Sequence, residues 1–394
     1  MTNPLHPLLA ITLTLTAATC IAQPNTLDPE SLPRSSFAWN QAEREVGLGN
    51  WDRVFPVRQV ANGSTVRELP AGAPLQIFDK GGAQEAYLEE FIEQQKIAGL
   101  LVLHDGAIRL ERYGLNHGPM KHWTSQSVAK SITGTLVGAA IKDGYITSIE
   151  DAVADYIPGL RGTAYDDVSI RQLMTMTSGV GWVEAYTGSS SDLARFYTAP
   201  IKPGLSATVS YMSQLPKADE PGTTWSYKTG ETHLIGELVM AATGQTLAAY
   251  LSSKIWQPYG MEQPASWHID RSDHELAGCC FQASLRDYAR FGQFVLEGGK
   301  INGEAIVPDG WFEEATRAHY RGSGGRGYGY QWWITEPGTF SAIGIYGQMI
   351  YVDPGRRLVV VTSSAWPEAT SRDRSAVTAN FLRVVSAEID GESN

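Results

Sequence analysis

The chain has 394 residues, 43% of them hydrophobic and 19% charged, an ordinary globular balance in a length that buries a large core without metal or disulfide staples. Its 31 Lys and Arg against 42 Asp and Glu give a formal charge of −11, which argues against nucleic-acid and anionic-membrane partners, since either needs a clustered basic face. Three cysteines, Cys20, Cys279 and Cys280, exclude a disulfide framework and a Cys-rich zinc module.

Residues 8–22 (LLAITLTLTAATCIA) form an apolar run too short to span a bilayer. They read as the hydrophobic region of a signal peptide over 1–22, with Cys20-Ile21-Ala22 at the cleavage site, although residues 1–7 carry no Lys or Arg. The expected location is therefore periplasmic or secreted, with no integral membrane span. Residues 23–75 are Pro-rich and hold Phe37, Trp39, Trp51 and Phe55; they read as an extension wrapped on a body formed by residues 76–394.

Within that body, residues 85–95 place Leu88, Phe91 and Ile92 on one helical face. Residues 100–104 and 107–113 flank Asp105-Gly106, a hairpin turn signal. The spacing predicts helices over 127–143, 169–176, 232–243 and 285–298, with Gly144 and Gly244 as stops. Near the end, 347–352 and 358–364 flank Asp353-Pro354-Gly355-Arg356 as a second hairpin, and a last helix covers 375–388. Strands at both ends with helices between predict an α+β fold. In it the terminal hairpins share one antiparallel sheet and a mostly helical lobe, roughly 145–300, is inserted. Cys279 and Cys280 read as small buried residues, because bridged cysteines usually hold their Cα atoms about 5.5 Å apart.

The chemistry concentrates at Ser127-Val128-Ala129-Lys130, which is Ser-x-x-Lys. Residues three apart share a helix face, so the lysine amine reaches the serine hydroxyl. The preceding Trp123-Thr124-Ser125-Gln126 is polar and turn-like, which puts Ser127 near a helix N-terminus, where free N–H groups favour a developing anion. Beyond Lys130 the helix is apolar, and desolvation lowers a lysine pKa toward that of a base working near neutrality.

With these residues the sequence resembles the serine β-lactamase and penicillin-recognising family, whose Ser-x-x-Lys is a recognised signature. The likeness spans about residues 76–390. Leu173-Met174-Thr175-Met176-Thr177-Ser178-Gly179 is similar to the family's Leu-Leu-x-x-Thr-Ser-Gly stretch. Pro221-Gly222-Thr223-Thr224-Trp225-Ser226-Tyr227 resembles its Pro-Gly…Tyr segment, and residues 283–291 its Thr-Ala-x-Asp-Leu-Ala-Arg helix. Residues 343–354 resemble the sheet hairpin of the esterase and amidase branch. Within that branch the likeness is to the nylon-oligomer (6-aminohexanoate-dimer) hydrolases, through Gly344 to Gln348, Ser363 to Pro367 and the aromatic extension.

The resemblance implies a serine hydrolase that cleaves a small amide or carboxylic ester through an acyl-enzyme. Ser127 is then the nucleophile, Lys130 the base, and Tyr227 the group that passes a proton to the leaving atom. The backbone N–H groups of Ser127 and Ile345 form the oxyanion hole, and Tyr186, Gly344 and Tyr346 contact substrate. No cofactor and no metal are implied.

Three departures bear on substrate. The family's Tyr-x-Asn is Tyr227-Lys228-Thr229 here. The Lys-Thr-Gly of true β-lactamases is Ala342-Ile343-Gly344, which removes the cation that meets a penicillin carboxylate and favours esterase or amidase work. The acidic residue with which the oligomer hydrolases reach the substrate amine aligns with Tyr197, with Asp192 and Glu184 nearby. The alternatives are a β-lactamase or D,D-peptidase, and a non-catalytic module on the same fold.

No Gly-x-Ser-x-Gly, His-Glu-x-x-His or Cys-x-x-Cys occurs, and His233 and His268 read as solvated or hydrogen-bonded side chains. Gly322-Ser323-Gly324-Gly325-Arg326-Gly327 lacks the Gly-Lys-Ser/Thr ending of a phosphate loop and reads as a mobile loop beside the cleft. Tyr328, Tyr330, Trp332 and Trp333 follow it as cleft or core aromatics.

Overall fold

The computed structural model describes residues 27–392, apart from Lys80, Ala83, Ser189, Ser323 and Gly324. The signal-peptide reading of 1–22 and the centre of the glycine loop at 322–327 lie outside the described residues.

The strands, in chain order, are β1 (Val57–Val60), β2 (Ile97–His104), β3 (Ala107–Tyr113), β4 (His122–Thr124), β5 (Ala265–His268), β6 (Phe281–Ser284), β7 (Lys300–Ile301) and β8 (Glu304–Ala305). Then follow β9 (Tyr320–Arg321), β10 (Gly327–Tyr328), β11 (Trp333–Ile334), β12 (Phe340–Gly344), β13 (Gln348–Asp353) and β14 (Leu358–Ser364). One eight-stranded antiparallel sheet has the order β3-β2-β14-β13-β12-β11-β10-β9, so the two terminal hairpins meet at β2 and β14. In the first hairpin Asp105 and Gly106 both take positive φ (51° and 76°), as a two-residue turn between twisted strands requires.

The apolar run of β2 follows from burial on both faces. Leu101 and Leu103 face one core together with Val359 and Val361 of β14. Leu100 and Val102, with Leu358 and Val360, face another that contains Phe381, Val385 and Ile389 of the C-terminal helix Arg372–Glu392. A strand covered on both sides loses its polar alternation.

The helix Leu285–Leu296 lies on the first of these faces: Gly292 lets it approach so closely that a Cβ there would sit 2.6 Å from Val359. That helix belongs with the sheet, so the helical lobe ends before it rather than at residue 300. The lobe itself is built around Thr229–Thr243, which packs on Ala129–Lys142; both are buried on nearly every face, which explains their weak polar patterning. Among the described residues no single helix is long and apolar enough to cross a membrane; the pair Thr229–Thr243 and Leu247–Trp256, bent by 74°, passes on composition as core helices do.

A second sheet, β1-β5-β6-β4, joins the extension to the body. β1 pairs with β5 from Val57↔His268 to Val60↔Ala265, and the Leu48 carbonyl accepts the Thr124 N–H at 2.9 Å. Residues 48–60 are thereby tied into the layer that leads to Ser127.

Candidate active site

β4 delivers the chain to the nucleophile turn. The Ser125 N–H donates to the Phe281 carbonyl of β6 (2.7 Å), and Gln126 then takes a left-handed φ of 46°. A non-glycine residue in that region is strained and persists only where its surroundings hold it. The 3₁₀ turn Gln126–Val128 runs directly into the helix Ala129–Lys142, so Ser127 sits one turn ahead of Lys130 at the helix entrance.

Lys130 is 1% exposed. Its Nζ lies 3.1 Å from Ser127 Oγ, 3.1 Å from Thr229 Oγ1 and 2.6 Å from the Gly278 carbonyl. Burial pulls its pKa down to about 7 against the opposing pull of the Glu184 carboxylate. Tyr227 is the third member. It lines the same cavity as Ser127, and its ring centroid lies 5.0 Å from Lys130 Nζ. Burial, reinforced by Glu184, raises its pKa, so the phenol stays protonated. Trp333 stacks on Tyr227 at 5.5 Å and lines the cleft, whereas Tyr328, Tyr330 and Trp332 are buried core.

A cavity of about 1070 Å³ has Ser127, Tyr227, Tyr186, Glu184, Gly344 and Ile345 in its wall and continues past β12 and β13 to the C-terminal helix. A Cβ on Gly344 would meet the Ser125 carbonyl at 2.5 Å and Ser127 N at 3.0 Å, so the end of β12 passes against the nucleophile's own amide. Tyr186 is half-buried, and burial raises its pKa, with Tyr227 and Glu184 adding to the shift. Tyr346, expected to contact substrate, takes φ 64° and is 4% exposed, and its ring lies under the Arg44 guanidinium at 4.6 Å.

His233 and His268 are buried, not solvated. His233 Nδ1 accepts the Gly278 N–H at 3.0 Å, and burial beside Lys130 lowers its pKa to about 3. His268 Nδ1 accepts from Trp51 Nε1 at 3.3 Å, and burial likewise lowers it to about 3. Cys279 and Cys280 form a disulfide, which corrects the reading of two unpaired residues. The usual Cα spacing describes bridges between separate segments; here adjacent residues, 3.7 Å apart at Cα, close a small ring, and Cys280 takes φ 65°.

Two cleft-side groups carried no role in the sequence reading. Thr229 was visible only as a departure from Tyr-x-Asn, yet it contacts Lys130. Glu184, noted only as a neighbour of the loop, accepts from Thr229 Oγ1 (2.5 Å), Thr229 N (2.9 Å) and Trp182 Nε1 (2.5 Å). The Gly278 carbonyl leaves no mark in a sequence because any residue carries one. Tyr197 is placed 4.0 Å from Cys279 Sγ and takes no part in the cleft wall; Asp192 is committed to Tyr211 (2.6 Å) and the Val183 N–H (2.7 Å).

An α+β body with a Ser–Lys–Tyr cluster where an antiparallel sheet meets a helical lobe is the serine β-lactamase and penicillin-binding type of fold. The Beta-lactamase family model matches residues 85–383, and the chain belongs to that family. A 6-aminohexanoate-dimer hydrolase from Paenarthrobacter ureafaciens is 28% identical over 324 residues, covering 77% of this chain and 81% of that one. A solved structure from Bacillus anthracis that carries the same name provisionally aligns with TM-score 0.77 and 26% identity over 89% of this chain and 95% of that chain. An esterase, EstB, from Burkholderia gladioli is 29% identical over 147 residues, 34% of this chain and 36% of its own. The family's members include amidases, esterases and β-lactamases.

Proposed function

We propose that the protein is a serine hydrolase that cleaves a small amide or carboxylic ester, in the manner of its 6-aminohexanoate-dimer hydrolase relatives, through an acyl-enzyme. The observation that carries this reading is the buried Lys130 amine, 3.1 Å from Ser127 Oγ and lowered to about 7. Ser127 Oγ passes its proton to Lys130 as its electron pair bonds the substrate carbonyl carbon, and the carbonyl π pair moves onto oxygen. The N–H groups of Ser127 and Ile345 receive that oxyanion; donors of this kind each contribute about 10²–10³ in rate. As the bond between the carbonyl carbon and the leaving atom breaks, Tyr227, held protonated beside Ser127, supplies the proton that the departing amine or alcohol needs, and Lys130 restores it. Water then repeats the sequence on the acyl-enzyme.

Tyr197 and Asp192, nearest the family's amine-binding acid, are engaged elsewhere, which leaves Glu184 as the acidic side chain beside Tyr186 in the cleft wall. Ser127→Ala is expected to abolish turnover of p-nitrophenyl butyrate and labelling by a fluorophosphonate. Turnover at the wild-type rate in that variant would sink the proposal. A kcat/KM screen of short esters, amides and aminohexanoate oligomers ranks the substrates. Fluorescent penicillin is expected to label weakly, because Ala342 stands where a β-lactamase carries its cation.

A further inference from the structure

Resting on the serine-hydrolase reading, we propose that Glu184 and Thr229 are positioning residues that fix the direction of the Lys130 lone pair toward Ser127. The argument is one of proton counting. Thr229 Oγ1 has a single proton, and it stands 2.5 Å from Glu184 Oε1 and 3.1 Å from Lys130 Nζ. That proton is donated to Glu184 Oε1, and the hydroxyl lone pairs are left for Lys130. The carboxylate is itself fixed, its other oxygen receiving the Thr229 N–H at 2.9 Å and Trp182 Nε1 at 2.5 Å.

A neutral lysine amine has two N–H bonds and one lone pair. Two acceptors that cannot reverse their roles surround it: Thr229 Oγ1, locked by Glu184, and the Gly278 carbonyl at 2.6 Å. They take both N–H bonds. The third direction faces Ser127 Oγ at 3.1 Å, and the lone pair is all that remains for it. The amine is therefore presented as an acceptor of the Ser127 proton. After transfer, the ammonium has three N–H bonds and three oxygens around it, so neither state leaves a buried polar group unpaired. Without the carboxylate, the Thr229 hydroxyl is free to donate to the amine, which turns the lone pair away from Ser127. The Gly278 arm is held independently, by the His233 side chain bonding the Gly278 N–H. Glu184 thus orders the base from its place in the cleft wall.

The test compares Glu184→Gln, Thr229→Val and Thr229→Ser on p-nitrophenyl butyrate across pH, beside Ser127→Ala. Thr229→Val keeps shape and loses the acceptor; it is expected to lower kcat about tenfold with KM little changed, and Thr229→Ser to restore it. Glu184→Gln is expected to lower the plateau about tenfold as well. It also moves the acid limb of kcat/KM to lower pH, because removing a nearby negative charge makes the Lys130 ammonium easier to deprotonate. The shift of that limb reports only that the Glu184 charge acts on Lys130; loss in Thr229→Val against recovery in Thr229→Ser reports that the hydroxyl orders the amine. Wild-type kcat in Glu184→Gln or in Thr229→Val overturns the relay. If Thr229→Val fails to fold, Glu184→Gln and Thr229→Ser decide the matter alone. Retained turnover in Ser127→Ala would instead overturn the serine-hydrolase reading itself, so the two failures are distinguishable.

Discussion

At Lys130 the balance between burial and charge sets the working pH. A base must be unprotonated, so the fraction of competent enzyme falls about tenfold per pH unit below its pKa. Burial has brought that value down to about 7. The expected kcat/KM profile for a neutral ester rises through pH 7 and then levels, the phenol of Tyr227 remaining protonated across the range. A flat profile from pH 5 to 9 would remove Lys130 from the base role. Gly344 makes a second residue-scale test. Its φ of −117° suits any residue, so glycine is required by space alone, and a methyl group would press on the Ser125 carbonyl and Ser127 N. Gly344→Ala should push β12 off the nucleophile turn. It is expected to lower kcat about 10²-fold, as loss of one oxyanion donor does, with little change in the far-ultraviolet circular dichroism. Wild-type kcat in this variant would place the oxyanion donor elsewhere.

At the scale of elements, Ser-x-x-Lys was legible because both residues lie on one helix and their spacing states their contact. The β2–β3 and β13–β14 hairpins were legible for the same reason, their turns being written in Asp105-Gly106 and Asp353-Pro354-Gly355-Arg356. What stayed hidden was contact between elements: Thr229 and Gly278 approach Lys130 from two separate segments, and the engagement of Tyr346 with Arg44 crosses the whole chain. The ion pair at the start of Thr229–Thr243 is local, its members three residues apart, and what the spacing leaves unstated is its burial. Lys228 Nζ and Glu231 Oε1 are 3.4 Å apart with side chains 2% and 0% exposed, and Glu231 also accepts from Ser178. Removing one buried partner strands the other, at a cost of about 3–5 kcal/mol, whereas replacing both with apolar residues is often close to neutral. Glu231→Leu is therefore expected to lower the denaturation midpoint sharply, and Lys228→Met with Glu231→Leu to recover most of it. Equal losses in the single and double variants would contradict the pairing.

At the scale of the whole molecule, the extension does more than cover the body. Through Leu48 it bonds the strand that leads to Ser127, and through Arg44 it reaches the segment after Gly344. Arg44 is 6% exposed and donates to the Trp39 carbonyl (2.6 Å), the Pro367 carbonyl (3.0 Å) and Gln41 Oε1 (3.3 Å) while covering the Tyr346 ring. It therefore ties the N-terminal segment to the loop after β14 and to the turn that carries the Ile345 amide. Arg44→Met keeps the aliphatic bulk and leaves buried carbonyls unpaired. Hydrogen bonds from a charged donor contribute about 1.5–3 kcal/mol each, and part of that is regained by water, so a stability loss of about 2 kcal/mol is expected in urea unfolding. The catalytic consequence separates two views of the extension. If it supports the oxyanion turn, kcat falls several-fold in a residue that never touches substrate, and KM changes less, because the lost alignment matters most when charge develops on the carbonyl oxygen. If kcat is unchanged while stability falls, the extension is a wrap alone and the turn is held by β12 and β13.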